Sequence, residues 1–150
     1  MNYLKEKDML KIEPYVRYNG NCEEAFNFYR SVLDGEFMYV MRHKDNPEKD
    51  RPLAKEDEEK ILHIALPIGD NTVLMGADAT SQEPVNVGDN ITLAISSQKE
   101  EDVKQMFQGL SEGGKITLPL EKTFWADLYG EFTDKFGINW IISRAKGEDA

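Results

Sequence analysis

The spacing of apolar positions predicts an amphipathic helix in the first quarter of the chain. Asn21 stands at its start with Glu24 three residues later, an arrangement typical of a capping box, and Gly35 ends it. The apolar positions of this segment cover one broad face, and they are Cys22, Ala25, Phe26, Phe28, Tyr29, Val32 and Leu33. We expect this face to pack on a sheet.

A second segment has the same helical period. It begins at Ser97, with Glu100 three residues later, and Gly113-Gly114 ends it. Its apolar residues follow the spacing i, i+3, i+4 and i+7, and they are Val103, Met106, Phe107 and Leu110. The chain therefore contains two amphipathic helices in similar contexts.

Strand patterns surround both helices in the same order, one before and three after each. The predicted strands are residues 12–18, 36–42, 61–68 and 72–77 in the first half, and 91–96, 115–120, about 129–134 and 139–144 in the second. The order β-α-β-β-β thus occurs twice, which predicts an α+β fold in one domain, 1–150. Its first module spans about 10–78 with a charged loop at 43–60 and a short helix at 55–60; its second spans about 88–145.

Composition and charge narrow the classes of partner. Apolar residues make up 40% of the 150 residues, and the formal net charge is −10. Nucleic-acid binding requires a basic stripe that replaces phosphate counterions, and an anionic membrane surface repels such a chain. We therefore expect neither nucleic acid nor membrane as a partner.

The remaining features of the sequence favour a cytoplasmic location. The sequence holds one cysteine, Cys22, so no internal disulfide can form. No apolar run approaches the roughly 20 residues of a membrane helix, and residues 1–14 lack a signal-peptide pattern.

Three stretches of the sequence resemble PhnB-like proteins of the vicinal oxygen chelate superfamily, which includes glyoxalases, bleomycin-resistance proteins and extradiol dioxygenases. They are PYVRYNGNCEEAFNFY at 14–29, ILHIAL at 61–66 followed by Gly69-Asp70, and TFWADLYG at 123–130 followed by TDKFGINW at 133–140. They occur in the family's order and spacing over nearly the whole chain. The resemblance implies paired βαβββ modules, an open barrel-like mixed sheet around a cavity, a small-molecule ligand and a homodimer.

Active members of that superfamily hold one divalent metal with His and Glu side chains from cavity-facing strands. The corresponding positions here are Glu13 or Pro14, Asn90 or Ile91, residues 75–77, and Ile141. Among these positions, only Glu13 is a residue that can coordinate a divalent metal. Such a site takes about three or four converging ligands. We expect no cofactor, and the alternative is a rearranged divalent metal site that uses Glu13 and His63.

The family also carries a label as a demethylubiquinone methyltransferase domain. A domain that binds S-adenosylmethionine would normally show a Gly-rich strand-to-helix turn within a longer α/β sheet, and this sequence has none. We therefore do not expect methyl transfer. The chain also has Ala126 and Leu128 where Gly and Arg are common in the family, so an anion anchor of the cavity is missing.

His63 is the candidate catalytic residue. The strand pattern places Leu62, Ile64, Leu66 and Ile68 on one face, and His63 and Ala65 on the other. If the first face packs on a helix, His63 points into the cavity as a general base, a ligand-binding group or a metal ligand. The alternative is a hydrogen-bonded histidine at a sheet surface.

The candidate ligand-binding residues are mostly aromatic. Trp125, Asp127 and Tyr129 belong to the closing family motif, and aromatic rings give a ligand a rigid apolar wall. Tyr15 and Tyr18 lie on opposite strand faces, so we expect only one to line the cavity and favour Tyr18. Met75 fills the core or the cavity.

Three functions compete at this stage. The first is small-molecule binding without the standard metal site, the second a metal-dependent lyase, isomerase or dioxygenase, and the third a dimeric interaction module without catalysis. We rank them in this order, because the sequence resembles proteins with the cavity fold but lacks most of their metal-binding residues.

Overall fold

The computed structural model describes residues 10–48 and 52–147, which form two βαβββ modules. The first module comprises β1 (Tyr15–Tyr18), α1 (Cys22–Leu33), β2 (Tyr39–Arg42), β3 (Ile61–Ile68) and β4 (Thr72–Asp78). The second comprises β5 (Thr92–Ser96), α2 (Glu100–Ser111), β6 (Lys115–Glu121), β7 (Ala126–Thr133) and β8 (Asn139–Ala145). Short 3₁₀ turns lie at His43–Asp45 and Lys55–Asp57.

Each module has a four-stranded mixed sheet, and the two sheets repeat one topology. The strand orders are β1-β4-β3-β2 and β5-β8-β7-β6. The pairs β1–β4 and β5–β8 are parallel, and the other pairs are antiparallel. Neither sheet closes on itself, so β1 and β5 each stand at the edge of their sheet. The predicted α+β fold of two open βαβββ modules is confirmed.

The two helices and the helix-facing sides of both sheets form one hydrophobic core. Its largest fully buried side chains are Trp140, Tyr29, Phe26, Phe132, Ile61, Ile64 and Leu66. Helix α1 contacts α2, and the Tyr29 ring packs edge-on against the Trp140 ring with centroids 5.4 Å apart. The helices therefore join the modules, and the opposite face of each sheet points away from this core.

Strand and helix starts differ from the sequence prediction by three residues at four places, one of which is β7, beginning at 126 rather than about 129. Strand β1 begins at residue 15 rather than 12, although the carbonyl of Pro14 already accepts a hydrogen bond from Met75 N. Strand β2 begins at 39 rather than 36. Helix α2 begins at Glu100 rather than Ser97, because the Ser97 hydroxyl accepts the N–H of Lys99 in a turn before the helix.

The capping box predicted at the start of α1 is wrong. The Asn21 side chain makes no capping hydrogen bond. Instead, Asp78 Oδ1 accepts the N–H groups of Gly20 and Cys22, both at 3.0 Å, and Oδ2 accepts Ile61 N at 2.9 Å. A buried carboxylate from β4 thus satisfies the helix terminus, which short-range sequence patterns do not reveal.

None of the described helices is long and apolar enough to cross a membrane.

Candidate functional site

A cavity of about 790 Å³ lies between the two modules, where the edge strands β1 and β5 approach each other. Its walls are β1 with the turn that follows, the segment 85–91 that connects the modules, the start of β5, and the turn between β7 and β8. The lining residues are Tyr15–Asn21, Val85–Gly88, Ile91, Leu93 and Phe136–Asn139. Both modules therefore line one open cleft.

Two asparagine side chains hold the connecting segment over this cavity. The Asn19 amide exchanges two hydrogen bonds with the backbone of Val85, each 2.9 Å long. Asn139 Nδ2 donates to the carbonyls of Asp89 and Ile91 at 3.4 and 3.5 Å, and Asn139 Oδ1 accepts the Thr133 hydroxyl at 2.7 Å. This segment, the roof of the cavity, is thus held at both ends, although its Val87 and Ile91 side chains are 67% and 71% exposed.

The lining combines apolar side chains with asparagines, tyrosines and one arginine. Its apolar residues are Val16, Val85, Val87, Ile91, Leu93, Phe136 and Ile138, and Arg17 is the one charged residue among those that line the cavity. Small-molecule sites commonly measure about 300–1,000 Å³ and have mainly apolar walls with a few polar contacts. The size and composition of this cavity fit an organic molecule of modest size.

His63 lies outside the cavity, on the sheet face that points away from the core. Ile64 and Leu66 are fully buried on the helix side, so the predicted alternation of β3 is confirmed there. The exception is Leu62, which lies beside the charged segment that includes Glu58. His63 is thus placed where a ligand or a second protein surface can reach it.

Two tyrosines enclose the His63 ring. The Tyr39 hydroxyl lies 2.6 Å from His63 Nε2, and the Tyr15 hydroxyl lies 3.2 Å from Nδ1. The Tyr15 ring also stacks on the imidazole, with centroids 5.3 Å apart. A neutral imidazole has one donor and one acceptor nitrogen, so one phenol donates and the other accepts. Burial raises the pKa of Tyr15, and the nearby Arg17 cation offsets part of that rise.

A second polar and aromatic cluster lies on β7 and the loop before it. Trp125, half exposed, packs edge-on against Tyr129 with ring centroids 5.2 Å apart. The Tyr129 hydroxyl donates to Glu131 Oε2 at 3.0 Å, and burial together with this bond raises the pKa of Tyr129. Sequence reasoning missed Glu131, although its two-residue spacing from Tyr129 signals a shared strand face.

The structure separates several residues that the sequence analysis grouped together. Tyr15 and Tyr18 both border the cavity, but the Tyr18 side chain is only 4% exposed and donates its hydroxyl to Tyr29 in the core, whereas Tyr15 is exposed. Met75 pairs with Tyr15 and Ala65 in the strand register and shares the sheet face of His63. Trp125, Asp127 and Tyr129 belong to the second module.

The candidate metal ligands do not form a metal site in the part of the chain that the structure describes. Glu13 pairs with Lys11 at 3.5 Å, and both His63 nitrogens face phenols. Residues 10–48 and 52–147 contain no group of three or more His, Cys, Asp or Glu side chains that could hold a metal ion. These donors do not fit a divalent metal, which takes three or four ligands.

Among known proteins, the chain is similar to Protein YjdN of Escherichia coli strain K12, with 29% identity over 144 residues, 91% of this chain and 97% of that protein. Protein PA1353 from Pseudomonas aeruginosa has 33% identity and a TM-score of 0.83, with 92% of this chain and 99% of that chain covered.

Two further solved structures share the fold. A PhnB protein from Bacillus cereus, described as a putative 3-demethylubiquinone-9 3-methyltransferase, has 24% identity and a TM-score of 0.70 over 91% of this chain and all of that one. A glyoxylase/bleomycin resistance protein/dioxygenase domain from Frankia sp. EAN1pec has 12% identity and a TM-score of 0.61 over 92% and 99%. The open two-module architecture is therefore the glyoxalase/bleomycin-resistance fold.

The sequence model of the family described as 3-demethylubiquinone-9 3-methyltransferase matches residues 10–143. That span includes both modules, the cavity and the two aromatic clusters. The chain therefore belongs to this family.

Proposed function

We propose that the protein binds a small organic molecule in the cavity between its modules, without a metal ion. The observation that carries this proposal is the 790 Å³ space that both modules line and the segment 85–91 covers. Its roof is fixed by Asn19 and Asn139, so a ligand would meet a largely preformed site. A preformed site lowers the entropic cost of binding.

Methyl transfer is not part of the proposal, although the family description names it. A fold or family name does not establish an activity, which depends on the site. Dinucleotides and related cofactors commonly bind at the carboxyl ends of a doubly wound parallel sheet. The two sheets here are mixed and four-stranded, and the cavity lies between their edge strands.

The His63 cluster supports a second candidate, acid–base chemistry on the bound molecule. Tyr15 belongs both to the cavity lining and to the His63 hydrogen bonds, so it connects the two regions. A proton taken up at one imidazole nitrogen can leave from the other toward a phenol oxygen. His63 would act as the proton carrier, and Tyr15 and Tyr39 would orient its ring.

We also propose a homodimer. The sheet faces that point away from the core carry exposed apolar side chains, with Tyr15 44% and Met41 40% accessible in the first module. In the second module, Trp125 and Phe124 lie in the loop before β7 and are 50% and 85% accessible. Burial of such surface stabilises association. Light scattering should give twice the 17.2 kDa mass of one chain; a monomer at micromolar concentration would contradict this part of the proposal.

Titration of chelator-treated protein with N-phenylnaphthylamine, an uncharged fluorescent probe, tests the binding proposal. We expect saturable binding of one molecule per chain with no effect of added divalent ions. Val87→Trp, on the roof, should abolish it by filling the cavity, whereas Ile116→Trp, a similarly exposed site on β6, should not. Binding that needs a metal, or that survives in the Val87→Trp variant, would contradict the proposal.

A further inference from the structure

The charge distribution around the cavity is the reverse of the charge on the whole chain. The protein carries 28 Asp and Glu against 18 Lys and Arg, yet the cavity lining contains no acidic residue and one basic residue, Arg17. Arg17 makes no ion pair within residues 10–48 and 52–147, whereas Arg42 is bound by Glu23 and Lys44 by Glu59. Arg17, exposed on the sheet face that it shares with Tyr15, thus borders the cavity as a cation without a counterion among the described side chains.

The backbone of β1 adds donors beside this cation. The carbonyls of Pro14 and Tyr18 accept hydrogen bonds from the N–H groups of Met75 and Ala79. The even-numbered residues along β1 therefore bond to β4. In a parallel ladder, alternate residues bond to the same neighbour. The N–H groups of Tyr15 and Arg17 therefore point toward the open edge of the sheet, which is the cavity side.

Two of the four asparagines of the lining and the nearby helix terminus are already engaged. Asn19 and Asn139 hold the roof segment. The N–H groups of Gly20 and Cys22 at the start of α1 are bound by the Asp78 carboxylate, which leaves no anion site at the helix terminus. The guanidinium of Arg17 is the group best able to bind a charged ligand.

We infer that the cavity selects an organic anion, with an apolar body against Val87, Ile91 and Leu93 and its acidic group beside Arg17. This inference rests on the proposed binding function and adds the ligand's charge. An acidic group of carboxylate, sulfonate or phosphate type satisfies the guanidinium with charge-assisted hydrogen bonds. Arg17 would thereby bind the anionic group. In the family pattern an arginine is common at another position, which is Leu128 in this chain.

Two fluorescent probes with the same aromatic skeleton test the inference. Anilinonaphthalene sulfonate is an anion, and N-phenylnaphthylamine is its uncharged counterpart. Wild-type protein should bind the sulfonate more tightly than the uncharged probe, and rising ionic strength should weaken only the sulfonate complex. Arg17→Met should weaken sulfonate binding by about tenfold and leave the uncharged probe unchanged. Arg17→Lys keeps the charge and should restore most of the affinity.

The outcomes separate the inference from the function on which it rests. Equal binding of both probes, with no effect of Arg17→Met on either, would overturn the anion preference and leave the cavity function standing. Binding of neither probe, or equal binding of both probes by wild type and the Val87→Trp variant, would overturn the cavity function itself. Arg17 is exposed, so we expect Arg17→Met to unfold at the same temperature as wild type. Weaker sulfonate binding by this variant would then not result from a loss of folding.

Discussion

The Tyr29 hydroxyl donates a hydrogen bond of 2.6 Å to Asp134 Oδ2 and so connects α1 of the first module to the β7–β8 turn of the second. The same oxygen accepts Trp140 Nε1 at 2.9 Å, and Oδ1 accepts the N–H groups of Phe136 and Ile138 at 2.8 and 3.0 Å. Asp134 is only 3% exposed. Four donors therefore stabilise a buried carboxylate where the modules meet, next to Phe136 in the cavity wall.

Removing the Tyr29 hydroxyl should weaken the contact between the modules. Tyr29→Phe takes one donor from a buried carboxylate, and we expect it to lower the free energy of unfolding by about 2 kcal/mol. The matched control is Tyr18→Phe, which loses a longer bond of 3.3 Å between two neutral hydroxyls and should cost less than about 1 kcal/mol. Urea denaturation measures both. A larger loss in Tyr18→Phe than in Tyr29→Phe would contradict the assignment.

Two glycines allow the helices to approach the sheets closely. A Cβ at Gly76 would lie 2.7 Å from the Phe26 ring, and one at Gly130 would lie 2.5 Å from the Phe107 ring. Gly76→Ala and Gly130→Ala should each destabilise the fold by about 1–3 kcal/mol through overpacking. Gly88→Ala, where the nearest atom is 3.6 Å away and the backbone has no positive φ, should change stability little. Thermal unfolding of the three variants measures these effects.

Asp57 should contribute to acid unfolding. The Lys60 ammonium at 2.7 Å and the Ser81 hydrogen bonds hold the pKa of this buried carboxyl below its usual range, against the opposing effect of burial. A lower pKa in the folded state means that the stabilisation is complete above the unfolded pKa of about 4 and is lost as the pH falls through the folded value.

The test compares Asp57→Asn with wild type by urea denaturation between pH 6 and pH 3. The variant should be less stable near neutral pH, by about 2 kcal/mol, and the difference should shrink below about pH 4 because only wild type loses the charged carboxylate. Asp70→Asn, in an exposed turn, is the matched control and should show no such convergence. A difference that stays constant with pH would contradict the ionised Asp57–Lys60 pair.

The Tyr39 hydroxyl should protect His63 from chemical modification. It lies 2.6 Å from Nε2, so Tyr39→Phe frees this nitrogen for diethylpyrocarbonate. A lost hydrogen bond of about 1 kcal/mol corresponds to about fivefold faster modification. His43 serves as an internal control, since its Nε2 lies 3.0 Å from the Asp78 carbonyl oxygen, and mass spectrometry distinguishes the two sites. Equal rates at His63 in both proteins would contradict the contact.

The sequence predicts the modules because hydrophobic period and turn residues are local signals. Alternation along β3 correctly places His63 opposite Ile64, and the apolar spacing of residues 22–33 correctly gives a helix. The helix cap by Asp78 joins groups 56 residues apart, so no short pattern reveals it. Arg17 became a site candidate only when β1, the connecting segment and the β7–β8 turn were seen to share one cavity.

The position of the bound molecule tests the central claim most directly. Methyl-labelled protein titrated with N-phenylnaphthylamine reports contacts residue by residue in NMR spectra. Binding between the modules predicts the largest shifts at Val85, Val87, Ile91 and Leu93, which line the cavity. The largest shifts at Leu118 and Ile141, which pair with Glu131 on the outward face of the second sheet, would contradict it.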